Sequence, residues 1–167
     1  NGGLSFGGSN GGVTLYDNTE KWGGSIWVTT GGLITAREML AGCGDVNNTL
    51  CFGGYSSSQT NEASKWNNVS WSTCNSLNVS RYGLAAAGDL NNCVCFGGYN
   101  GVYLNTTEKW NGFSWTTANP INLSRYKLAG GGDANNCISF GGTNGSYLNN
   151  TERWISNRFM GFNVKVN

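Results

Sequence analysis

Cys93 and Cys95, one valine apart in "NNCVCFGGYN", are spaced for chemistry. A C-x-C pair can hold a soft metal through thiolate sulfur or exchange a disulfide. The glycine doublet behind it invites comparison with a phosphate-cradling loop. Neither metal nor phosphate reading finds its partners. No second cluster is placed to complete four metal ligands. Gly97–Gly98 follows a strand pattern, but it opens no helix and lacks the lysine of a phosphate loop. The chain also has no histidine, which removes Ser–His and Cys–His nucleophile pairs and every His-ligated metal site. No catalytic residue, metal ligand or cofactor is assigned, and the expectation is a protein that is not an enzyme.

Two other residue classes could act. Glu20, Glu108 and Glu152 each stand two residues before a tryptophan, and Asp45, Asp89 and Asp133 sit at turn-like stretches. Paired carboxylates can hydrolyse glycosides, but these recur at fixed spacing, as structural parts do. An Asx turn accounts for the aspartates, and the recurring Arg37, Arg81 and Arg125 are natural partners for the glutamates. A calcium site at "GDVNNT" has too few oxygen ligands. The acceptor triplet N-x-S/T occurs at Asn47, Asn68, Asn78, Asn105, Asn122, Asn144 and Asn149, always in a predicted loop or strand edge. These carry sugar if the chain is eukaryotic and secreted, or arise by chance in loops rich in Asn, Ser and Thr.

The elements that must hold these residues repeat. Trp22, Trp66, Trp110 and Trp154 are 44 residues apart, and Trp27, Trp71 and Trp115 follow five residues later. Phe52, Phe96 and Phe140, each before Gly-Gly, keep the same spacing, while Phe6 is two residues out of step. Repeats span about 1–32, 33–76, 77–120 and 121–167 of one domain. Each unit divides into four short strands: a small-residue strand such as "LAAAGD", a β-rich strand ending at the glycine doublet, and two tryptophan-bearing strands. Asn111–Gly112 predicts a two-residue hairpin, with Trp110 opposite Phe113 and Glu108 opposite Trp115, all four on one face. Such units at this period predict propeller blades, with Ala/Gly strands crowded at the axis and indoles filling the widening gaps.

Gly-Gly after the second strand, then an aromatic, then a tryptophan a few residues on, resembles the kelch repeat, over nearly the whole chain. Trp stands where kelch units usually have Tyr before the second aromatic. The Asn/Ser/Thr/Gly-rich loops look closest to divergent arrays of secreted, surface or phage-tail proteins. The resemblance implies an all-β, kelch-like β-propeller of four-stranded antiparallel blades, about three and three-quarter blades here. Kelch-like oxidases hold copper through histidines, so that activity is not carried over.

The first unit begins at its second strand, and "RFMGFNVKVN" departs from the repeat, with Phe162, Val164 and Val166 alternating as in a strand. That strand could complete the first blade, lengthen the last or pair with another copy; a closed four-bladed monomer is the alternative. The first residue is Asn1, not Met, which suggests a processed chain or a fragment. The expected partners are further copies of the chain or further blades of a longer parent, because open ends leave tryptophans in water. Cys43 could meet Cys93 or Cys95 across a blade gap, or all the cysteines could pack as free thiols. With a net charge of +1 there is no electrostatic case for nucleic acid, and no apolar run approaches the roughly 18 residues of a membrane span.

Together these features suggest an extracellular or surface-associated repeat protein acting as a structural, assembly or adhesion scaffold. The alternative is a carbohydrate- or receptor-binding module of an adhesin or phage tail fibre. Tyr16, Tyr103 and Tyr147, expected on equivalent loops, could then stack on sugar rings.

Overall fold

The computed structural model describes residues 2–11, 13–155 and 158–162. They form four antiparallel sheets and no helix. The first sheet has three strands: β1 (Gly3–Phe6), β2 (Thr19–Trp22) and β3 (Trp27–Thr29). The other sheets have four strands each, in chain order. These are β4 (Ala41–Gly44) to β7 (Trp71–Cys74) through β5 (Thr49–Phe52) and β6 (Ala63–Trp66); β8 (Ala85–Gly88) to β11 (Trp115–Ala118) through β9 (Cys93–Phe96) and β10 (Thr107–Trp110); and β12 (Ala129–Asp133) to β15 (Arg158–Phe162) through β13 (Asn136–Phe140) and β14 (Thr151–Ile155). The C-terminal segment thus supplies the outer strand of the fourth sheet as far as Phe162; Val164 and Val166 lie outside the described residues.

Side chains alternate across each strand, so every sheet has two faces. Phe6 and Phe52 lie on the face toward the following sheet, and Trp71 and Trp115 on the face toward the preceding one. They meet edge to face at 5.1 Å (Phe6–Trp71) and 4.8 Å (Phe52–Trp115). Three buried clusters result, one between each successive pair of sheets. The inner strands are small because neighbours lie against them: a Cβ on Gly42 would come within 2.6 Å of the Phe6 ring, and one on Gly130 within 2.6 Å of the Phe96 ring. β8 packs beside both β4 and β12.

The turn after β10 differs from the two-residue hairpin. Asn111 Oδ1 accepts hydrogen bonds from Phe113 N (3.0 Å) and Ser114 N (2.8 Å), so the asparagine side chain wraps a four-residue turn. Trp110 therefore pairs with Trp115, their rings 5.3 Å apart, and Glu108 pairs with Thr117. Phe113 is left exposed at the turn, off the buried face. The aspartate turns are Asx turns, as at Asp89, whose Oδ1 accepts from Asn91 N (2.8 Å) and Asn92 N (2.9 Å).

Candidate functional site

Each complete unit starts on a buried arginine that fixes the loop entering its sheet. Arg81 Nη1 donates to the carbonyls of Gly97 (3.0 Å) and Thr106 (2.6 Å), and Nη2 donates to Glu108 (3.0 Å) and to Cys95 Sγ (3.2 Å). Arg125 repeats the pattern on Gly141, Asn150, Glu152 and Ser139. Its guanidinium is pushed below the ordinary arginine range by burial, against the pull of Glu152. The glutamates also hold backbone: Glu108 accepts from Asn78 N (2.7 Å), and Glu152 from Asn122 N (2.6 Å). Where Ser64 replaces the glutamate, Glu62 takes over and receives Arg37 Nη1 at 2.7 Å. These carboxylates are structural anchors. Among the described residues no group of three acidic, cysteine or histidine side chains is arranged to hold a metal.

The arginine and the glycine doublet together position a cluster of tyrosines. Tyr82 follows Arg81, Tyr99 follows Gly97–Gly98, and their backbones exchange hydrogen bonds of 3.1 and 2.9 Å. Gly97 has φ +68°, and a Cβ there would come within 2.7 Å of the Arg125 carbonyl, so glycine alone permits the approach. The rings of Tyr55, Tyr82, Tyr99, Tyr103 and Tyr126 then touch in series. Tyr55–Tyr82 is 5.4 Å, Tyr82–Tyr99 5.7 Å, Tyr99–Tyr103 5.3 Å and Tyr99–Tyr126 5.5 Å. All five keep part of their surface in water. Burial, then Tyr126, Tyr99 and Tyr55, push the Tyr82 phenol up, while Lys127 opposes the shift. One cation and one carboxylate flank the cluster: Lys127, whose Nζ lies 5.2 Å from the Tyr126 ring centroid, and Glu38, the bridge partner of Tyr55.

Of the loop tyrosines expected from the sequence, only Tyr103 joins this cluster. Tyr147 occupies the equivalent bridge in the fourth unit but is 99% exposed. Tyr16 is one residue out of register: Leu15 makes the equivalent bridge to Ser9, because the first loop is longer. Tyr55, Tyr82, Tyr99 and Tyr126 escaped the sequence reading, although Arg-Tyr and Gly-Gly-Tyr recur in it.

The cysteines meet as their strand faces dictate. Gly42 pairs with Cys51 and Cys43 with Leu50, which puts Cys43 on the face toward the third sheet. There its thiol donates to the Asp89 carbonyl at 3.4 Å, and it shares a buried cluster with Cys93, whose thiol is pushed up by burial and by Cys43. All six thiols are free. Burial raises Cys51 to about 11 and Cys95 to about 12, against the partial relief of Arg37 and Arg81 respectively.

The seven sequon asparagines lie outside the strands. Two use their amide nitrogen internally: Asn78 Nδ2 donates to the Trp115 carbonyl (3.2 Å) and Asn122 Nδ2 to Glu152 (2.8 Å). Asn47 and Asn68 receive Lys21 Nζ through their oxygens. Asn105 is half-buried, whereas Asn144 and Asn149 are exposed.

The two end sheets break the pattern of burial. Trp71 and Trp115 are 7% and 5% exposed, whereas their equivalent Trp27 is 49% exposed. Phe52 and Phe96 are fully buried, whereas Phe140 is 42% exposed, and Ile138 beside it is exposed too. Among the described residues no buried cluster joins the first sheet to the fourth. A cavity of about 290 Å³ opens on the first sheet between Gly2, Gly3, Trp22 and Trp27. No family model and no curated protein matches this chain.

Proposed function

We propose that this chain is a non-enzymatic, extracellular or surface-associated repeat protein. Its kelch-like blades wrap radially as in a propeller and act as a self-associating scaffold for assembly or adhesion. The single observation that carries the reading is the contrast between interior and ends. Three sheet–sheet gaps are closed by Phe–Trp cores, while the matching groups of the first and last sheets, Trp27 and Phe140, stand in water. Apolar surface of that kind favours association. The repeated carboxylates and arginines support a structural role, because each complete unit uses them on its own backbone and side chains. Sedimentation velocity over a concentration series tests the reading: concentration-dependent species larger than the monomer are expected, and a lone compact monomer throughout contradicts it. Expression in a eukaryotic secretory host tests the surface setting: intact mass should fall on glycosidase treatment.

The five-tyrosine cluster favours a second reading, a carbohydrate- or receptor-binding module. Tyrosines offer broad apolar faces with polar tips at low entropic cost, and their near-neutral setting suits a neutral polyhydroxylated ligand. A glycan array tests it: Tyr99→Ala and Tyr126→Ala should abolish any signal, and no binding to any sugar contradicts this reading.

A further inference from the structure

Resting on the self-association reading, we infer that two copies of this chain dock head to tail, the fourth sheet of one seated on the first sheet of the next, with Phe140 of one copy filling the Trp22–Trp27 cavity of the other.

The template is the contact that the chain makes internally. At each sheet–sheet gap the second strand ends in a phenylalanine that points forward: Phe6 onto Trp71, Phe52 onto Trp115. Two residues before it lies an aliphatic side chain on the same face, Leu50 or Val94, which the next sheet covers completely. The third strand sends a cation forward as well. Lys21 reaches Asn47 and Asn68, Lys109 reaches Asn135 at 3.0 Å, and Lys65 donates to the Gly112 carbonyl at 2.8 Å with its Nζ 5.0 Å from the Trp110 ring. The forward face of the fourth sheet carries the same three groups in the same places: Phe140, Ile138 and the exposed Arg153. None of them has a following sheet among the described residues.

The backward face of the first sheet is the matching receptor. Trp22 pairs with Trp27, their rings 5.6 Å apart, as Trp66 pairs with Trp71 (5.4 Å) and Trp110 with Trp115 (5.3 Å). The cavity against this pair is lined by Gly2, Gly3, Trp22 and Trp27, and Trp27 is the equivalent of the tryptophans that receive Phe6 and Phe52 in the interior gaps. Arg153 then falls opposite Trp22 and the Gly23–Gly24 turn, as Lys65 does on Trp110 and Gly112. Gly141 shows the same difference among the described residues. A Cβ on Gly7, Gly53 or Gly97 would meet the next arginine's carbonyl at 2.6–2.7 Å, while one on Gly141 meets nothing closer than 3.9 Å. Among the described residues the first sheet has three strands, and the docking contact is carried by them. The interface is heterologous, with different patches on the two partners.

Heterologous contacts have a complementation signature. Trp27→Ala removes the receptor and Phe140→Ala the plug; both residues are part-exposed, so both variants should keep the far-UV circular dichroism of the parent. Sedimentation velocity of the 167-residue chain should show each variant associating at least tenfold more weakly than the parent. An equimolar mixture should then restore a 1:1 pair, because one variant retains the plug and the other the receptor. Parent-like association of either variant, or a mixture no larger than its components, overturns the head-to-tail mode while leaving self-association standing. A monomeric parent overturns both. Loss of association on Trp27→Ala but not on Phe140→Ala assigns a tryptophan-to-tryptophan contact and likewise overturns the proposal.

Discussion

Arg81 Nη2 lies 3.0 Å from Glu108 Oε1, with both side chains withdrawn completely from water. Burying two charges costs more than their attraction returns unless further hydrogen bonds satisfy them. Here the backbone supplies those bonds, through Gly97 and Thr106 on one side and Asn78 and Val79 on the other. Removing one partner leaves the other charge stranded: Glu108→Ala should destabilise by about 3–5 kcal/mol. The Arg37–Glu62 pair is shorter, at 2.7 Å, but Glu62 is 47% exposed, so Glu62→Ala, which opens a path for water to the buried Arg37, should cost less than Glu108→Ala. Urea denaturation of the two variants checks this, and equal losses would show that burial does not set the difference.

The tryptophans should divide in the same way. Trp115 is packed under Phe52 and donates its indole N–H to the Asn75 carbonyl at 3.1 Å. Trp115→Ala should cost about 3–5 kcal/mol. Trp27, half in water, should cost less than half of that in the monomer. The measurement is the denaturation midpoint at a protein concentration where association is absent.

Alkaline pH should destabilise the chain through its thiols. Burial raises Cys51 from 9.0 to about 11 and Cys95 from 9.0 to about 12. Above about pH 9 the unfolded chain releases protons that the folded one retains, so stability falls as pH rises. The contribution is intact below that pH and is lost progressively through about pH 11–12, at up to about 1.4 kcal/mol per pH unit per thiol. Tyrosines and lysines titrate in the same range, so the comparison is with Cys51→Ala/Cys95→Ala. The double variant should show a flatter fall in urea midpoint from about pH 8 to pH 11; parallel curves would contradict this.

Cys43 of the second sheet and Cys93 of the third share one buried cluster and are the pair expected to cross-link on oxidation. With a small disulfide as oxidant, the two thiols lose their hydrogens to form one bond while the reagent is reduced to thiols. Peptide mapping should find Cys43 joined to Cys93, and Cys43→Ser should abolish that product. A Cys43–Cys51 link would contradict the strand faces, because Cys51 lies on the opposite side of its sheet.

What the sequence made legible follows the repeat. The four units, their strands and the aspartate turns could be read because a structural part copied at fixed spacing announces its role. Asn111 was misread for a local reason. Asn-Gly is a two-residue hairpin signal, but here the asparagine oxygen binds two amides of a longer turn, shifting the partner strand by two residues. Glu62 was invisible as Arg37's partner because it stands off the repeat position. The tyrosine cluster was missed because Tyr82, Tyr99 and Tyr103 of one unit stand at uneven spacing and meet through loop bridges, while Tyr55 and Tyr126 join them from the neighbouring units.

The most direct test is an experimental structure of the 167-residue chain that locates the aromatic ring covering Trp27. The expected result is Phe140 of a neighbouring molecule, edge-on, with centroids about 5 Å apart, as for Phe6–Trp71 (5.1 Å) and Phe52–Trp115 (4.8 Å). Phe140 of the same molecule on Trp27 would mean a closed four-sheet ring, and Trp71 or Trp115 in solvent would mean that the sheets do not stack as described; either result contradicts the account.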